Sequence, residues 1–67
     1  MNSVNISGNV NKAEIWCITH IDYRRYYIAF DNGWKSGGKG WEIRRKGGSS
    51  TLTIEDEQML MLAVLSL

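Results

Sequence analysis

Between Val4 and Ile54 the sequence keeps returning to a period of two, and from Met59 it abandons that pattern for an almost unbroken apolar run. Alternation turns successive side chains to opposite faces of a strand, whereas a run apolar at nearly every position suits an element covered on most sides. The chain is therefore expected to build a half-buried sheet first and one apolar helix last.

Val4, Ile6, Gly8 and Val10 alternate with Asn5, Ser7 and Asn9 and read as an edge strand. Ala13 to Ile21 sets Ile15, Cys17, Thr19 and Ile21 against Glu14, Trp16, Ile18 and His20, with the β-branched and aromatic content of a central strand. Asp22-Tyr23-Arg24 then reverses the chain into Arg25 to Asp31, where Tyr26, Ile28 and Phe30 alternate with Arg25, Tyr27 and Ala29. These two strands are expected to pair as a hairpin. Asp31-Asn32-Gly33 supplies residues that tolerate positive φ, and Gly37-Gly38-Lys39-Gly40 predicts a loose loop. Trp41 to Lys46 reads as a further strand, ended by Gly47-Gly48-Ser49-Ser50. Thr51 to Ile54 fits either a short fifth strand or the start of a helix that runs from about Ile54 to the C-terminus. Thr53 three residues before Asp56 suggests a capping box, and Glu55, Asp56 and Glu57 suit the positive end of a helix dipole.

The expected fold class is α+β: a small antiparallel sheet of four to five strands, open or barrel-like, followed by one C-terminal helix. With 67 residues there is room for one core, so residues 1–67 form a single domain. The apolar fraction of 43% is too high for a disordered chain. One cysteine excludes an internal disulfide, and one thiol with one imidazole falls short of a structural zinc set. The first ten residues carry no basic segment followed by an apolar run, so the expected location is cytoplasmic and the Asn5-Ile6-Ser7 acceptor pattern is accidental.

Little here points to catalysis, and the expectation is a protein that is not an enzyme, with no cofactor, no metal and no small-molecule substrate. Cys17 and His20, three apart on a strand, would face opposite ways and could not activate one another. Gly33 to Lys39 matches the opening of a phosphate-binding loop, but Gly40 stands where that motif needs Ser or Thr, and a strand follows where it needs a helix.

Two surfaces remain for function. Met59 to Leu67 is apolar except for Ser66, and a small sheet covers only one side of such a helix. Leu60, Met61, Val64, Leu65 and Leu67 are the candidates for self-association. Nine residues cannot span a bilayer, and the acidic lead-in opposes anionic lipid, so no membrane contact is expected. The second surface is basic. The net charge is only +1, yet residues 33 to 48 hold Lys35, Lys39, Arg44, Arg45 and Lys46 against Glu42 alone, interleaved with Trp34 and Trp41.

Trp, Tyr and Arg are the usual anchors of protein interfaces. The expected role is thus a regulator or inhibitor acting through protein–protein contact, including a homodimer. Its size is that of small proteins from phages and other mobile elements. Its anchors would be Arg25, Tyr27, Trp34, Lys35, Lys39, Arg44 and Lys46. The alternative is nucleic-acid binding by the basic Trp/Lys/Arg hairpin, since cations hold phosphates and aromatic rings stack bases. In the order of strands, glycine-rich Gly37-Gly38-Lys39-Gly40, strand and C-terminal helix, the chain resembles small lysine-rich archaeal chromatin proteins. That resemblance implies a nucleic-acid partner, but the abundant lysines of those proteins are missing here.

Overall fold

The computed structural model describes residues 2–67. It has five strands and two helices: β1 (Ser3–Asn5), α1 (Val10–His20), β2 (Tyr26–Phe30), β3 (Gly33–Gly38), β4 (Trp41–Lys46), β5 (Ser49–Ile54) and α2 (Glu57–Leu65). The strands form one antiparallel sheet in the order β1-β5-β4-β3-β2, so the sheet is open, with β1 and β2 as its edges. The α+β class and the C-terminal helix stand as expected, and Thr51 to Ile54 belongs to a strand.

The largest departure is the segment Ala13 to Ile21, which is not a strand but most of α1. Its β-branched residues favour a strand locally, but tertiary packing overrides so weak a preference. Val10, Ala13, Cys17, Ile18 and Ile21 recur at helical spacing, and they turn toward the core, with Ala13 and Cys17 fully buried. Val10 thus opens a helix, and the expected first strand shrinks to Ser3–Asn5. β2 pairs not with that segment but with β3, Tyr26 opposite Gly37 and Phe30 opposite Gly33.

Residues 33 to 38, expected largely as loop, form β3 in the middle of this ribbon. Its glycines are required by close approach: a Cβ on Gly37 would lie 2.6 Å from the Trp41 carbonyl oxygen and 2.9 Å from the Tyr26 hydroxyl. Positive φ falls instead on Gly8 (+90°), before α1, and on Gly40 (+89°) and Gly47 (+62°), in the two-residue turns that join β3 to β4 and β4 to β5. No non-glycine among the described residues adopts it, so Asp31 and Asn32 turn the chain without it.

Both helices cover the same face of the sheet. The core joins Ile6, Ala13 and Cys17 to Trp41 and Ile43 of β4, Leu52 and Ile54 of β5, and Leu60 and Ala63 of α2. Helix α2 begins at Glu57, three residues later than expected, because Asp56 and not Thr53 is its cap. The Asp56 carboxylate accepts the Gln58 and Met59 N–H groups at 2.9 and 3.2 Å. No helix among the described residues is long and apolar enough to cross a membrane.

Two polar ties hold the β2–β3 ribbon to the helix layer. On α1, the half-buried Glu14 accepts from the buried Ser36 hydroxyl and from Arg25, both at 2.8 Å and both on Oε2. After α1, the Asp22 carboxylate accepts the Lys39 N–H at 2.8 Å and the Arg24 N–H at 3.1 Å, while its carbonyl accepts from Trp41 Nε1 at 3.2 Å. The Lys39 and Arg24 amide bonds, with the Arg24 guanidinium, lower the Asp22 pKa.

Candidate functional site: the open face of the sheet

Residues directly opposite in an antiparallel ladder point to the same face, so the strand register sorts every side chain. The face under the helices takes Tyr27, Ala29, Trp34, Ser36, Trp41, Ile43, Arg45, Ser50, Leu52, Ile54 and Val4. The other face carries no helix. Its central row runs Ile28, Lys35, Arg44, Thr51, Asn5, from β2 to β1. Toward the β4–β5 turn lie Phe30, Gly33, Lys46 and Ser49, and toward the β3–β4 turn lie Tyr26, Gly37, Glu42, Thr53 and Ser3.

This open face is graded in chemistry. On β2, Tyr26, Ile28 and Phe30 are 41%, 48% and 40% exposed and form an apolar rail. Beside it stand three cations, Lys35, Arg44 and Lys46. Beyond them Ser3 and Thr53 share a hydroxyl bond at 2.8 Å, and Asn5 donates to Ser49 at 3.3 Å. Lys35 lies directly opposite Arg44, an arrangement of like charges that works against the sheet. One carboxylate of the face, Glu42, sits 3.8 Å from the Arg44 Nε and accepts from the Tyr26 hydroxyl at 3.2 Å. Burial and the Glu42 charge raise the Tyr26 pKa, so this phenol stays a donor. Glu42 and Glu55 lie together by the β3–β4 turn, which leaves the rest of the face cationic.

The seven partner-binding residues expected from sequence are thus divided. Lys35, Arg44 and Lys46 share the open face. Arg25, Tyr27 and Trp34 belong to the opposite face, where Arg25 is held by Glu14 and the Tyr27 and Trp34 rings stack with centroids 5.8 Å apart. Lys39 sits in the β3–β4 turn, away from Lys46. The self-association set is divided too: Leu60 is buried and Leu67 packs partly against the core, whereas Met61, Val64 and Leu65 are exposed. Leu60, Met61, Val64 and Leu65 line a shallow groove between α2 and β1. The residues that sequence reasoning misses are Tyr26, Ile28 and Phe30. Their alternation is visible, but the apolar half of an alternating strand is ordinarily the buried half.

Cys17 and His20 stand apart. The thiol is fully buried in the core, where desolvation, helped by the Glu14 charge, pushes its pKa up to about 12. The His20 ring lies instead against Trp16, with centroids 4.6 Å apart. Gly33 to Lys39 is strand and turn, not a loop leading into a helix. Among the described residues no three His, Cys, Asp or Glu side chains gather as metal ligands. The layout likeness to the small chromatin proteins also weakens, because α1 separates the first strand from the other four. No family model, no curated protein and no solved structure matches this chain.

Proposed function

We propose that this protein is a non-catalytic binding protein whose open sheet face takes a single-stranded nucleic acid. One observation carries the reading: Lys35, Arg44 and Lys46 meet on an uncovered face beside the exposed rings of Tyr26 and Phe30. Phosphates neutralise cations that otherwise repel each other, and bases stack on aromatic rings without regard to sequence. An open sheet face suits unstacked bases better than a duplex, whose bases lie at the bottom of grooves. The hydroxyls of Thr51, Thr53 and Ser3 continue the face with neutral hydrogen-bonding groups.

Action on another protein, as a regulator or inhibitor, is the second reading. It draws on the exposed Met61, Val64 and Leu65 of α2, an apolar patch of the kind that marks interaction sites. It has less support from Arg25, Tyr27 and Trp34, because each of those anchors already has an intramolecular partner.

Fluorescence anisotropy with a labelled mixed-sequence single strand, at low and physiological salt, separates the readings. Binding should fall with salt along a log–log slope near about −2, as roughly 0.7 per phosphate contact gives for three cations. Arg44→Thr should weaken binding and flatten that slope, while Lys39→Ala should leave both in place. Absence of binding at low salt, or binding indifferent to Arg44→Thr, would overturn the nucleic-acid reading and leave protein recognition standing.

A further inference from the structure

We infer that the β2 edge is a self-pairing surface, on which a second copy of this chain adds its own β2 antiparallel about Ile28. Phe30 and Gly33 flank a two-residue turn and so bond each other through the backbone, as do Ile28 with Lys35 and Tyr26 with Gly37. The N–H and C=O groups of Tyr27 and Ala29 consequently point away from the sheet, along its outer edge. All five residues of β2 are exposed, and within Tyr26–Phe30 there is no proline, no charge and no break in register. Those are the devices by which natural proteins protect an edge strand. The other edge, β1, is only three residues long.

The sequence of this edge is complementary to itself under a two-fold axis through Ile28. In that pairing Tyr27 and the second copy's Ala29 exchange backbone hydrogen bonds, and the symmetric exchange makes four in all. Large faces small there, Tyr27 against Ala29. On the open face, Tyr26 meets the second copy's Phe30 and Ile28 meets its own counterpart, which puts an aromatic pair on each side of an aliphatic one. One step further out, Arg25 stands opposite the second copy's Asp31 at both ends; its Nη1 stays with Glu14, and the remaining N–H groups of the guanidinium are the ones that meet Asp31. This charge match selects a second copy over an arbitrary strand. Asp31 has no hydrogen bond or ion pair within its own chain among the described residues, so it is free for this role. A two-fold axis normal to the sheet keeps both open faces on one side, giving a ten-stranded sheet with an apolar centre between two cationic flanks.

Pairing is measured without nucleic acid, so its outcome is independent of the function proposed above. Sedimentation equilibrium should give a reversible dimer with a dissociation constant between about 1 μM and 1 mM. Ala29→Pro removes an outward N–H that no strand of its own sheet uses, and it should abolish the dimer while leaving the far-ultraviolet circular dichroism of the folded monomer. Asp31→Arg, which replaces the attraction to Arg25 of the other copy by a like-charge repulsion, should weaken it at least tenfold. Leu65→Lys on α2 should leave it unchanged. A monomer at about 1 mM, a dimer that survives both β2 variants, or a dimer dissociated by Leu65→Lys would each overturn the inference.

Discussion

Leu52 of β5 and Ile28 of β2 are both aliphatic residues near the middle of strands in the same sheet, yet Leu52 is fully buried and Ile28 is 48% exposed. The contrast extends to whole halves of the molecule. β5 and β4 lie under the helices and supply all the buried apolar residues of the sheet, with the half-buried Val4 of β1 packed beside them, whereas every residue of β2 is exposed. β2 thus carries surface chemistry alone, whereas β4 does both, with Trp41 and Ile43 turned to the core and Arg44 and Lys46 to the open face. In a chain of 67 residues the core has little margin, so the covered half is constrained residue by residue. The projecting half is held by backbone pairing and by the Glu14 and Asp22 ties, and its side chains are free to be chosen for what they touch outside.

The contrast is broken most directly by truncating the two residues that define it. Leu52→Ala should cost roughly 2–5 kcal/mol, the usual range for a buried leucine and a large share of the stability of a domain this small. Ile28→Ala should change stability by no more than about 0.5 kcal/mol, as for an exposed position. Urea denaturation followed by circular dichroism, at protein concentrations low enough to keep the chain monomeric, compares them. Equal losses would mean that β2 is under cover in solution and that the two halves do not differ.

The same division explains which parts of the fold are legible in the sequence. Trp41 to Lys46 reads with its faces in order because local and tertiary preferences agree there: Trp41 and Ile43 are buried, while Arg44 and Lys46 are outside. Thr51 to Ile54 alternates correctly, but the acidic cluster of the next helix masks it. Ala13 to Ile21 misleads because Ile15, Ile18 and Thr19 favour a strand, while the decisive signal is the spacing of Val10, Ala13, Cys17 and Ile21. The site is half legible. Composition finds its cations, but sorting Lys35, Arg44 and Lys46 from Arg25 and Lys39 needs the register between β2, β3 and β4. Non-local pairing of that kind is absent from any local pattern, and a one-residue slip would exchange the faces.

The covered half can also be probed by proton uptake. The buried Cys17 thiol has its pKa pushed from 9.0 to about 12, so the folded chain keeps a proton that the unfolded chain releases within that window. Stability should therefore be intact below about pH 9 and decline as pH rises toward 12, by at most about 4 kcal/mol at ~1.4 kcal/mol per pKa unit. Tyrosines and lysines also titrate there, and the comparison that isolates the thiol is with Cys17→Ala. That variant is less stable at neutral pH but should lose stability more gently in alkali. If urea midpoints fall with the same slope in both proteins, the thiol is not shielded, and the boundary between core and surface has to be redrawn at α1.

The smallest effect is the one that best separates folding from binding on the open half. Lys35 faces Arg44 across the β3–β4 ladder, so Lys35→Thr removes a like-charge pair and introduces a good strand former. Stability should rise by about 0.2–1 kcal/mol. Oligonucleotide affinity should fall, with the log–log salt slope shallower by about 0.7. Arg44→Thr added to Lys35→Thr should then gain less stability than it does alone, because the repulsion it would relieve has already gone. Opposite signs in stability and binding would mark these cations as placed for a ligand at the expense of the fold. A loss of stability in Lys35→Thr would mean that the lysine stem packs beside Ile28 and contributes to the sheet, and the open half would then share the structural burden of the covered one.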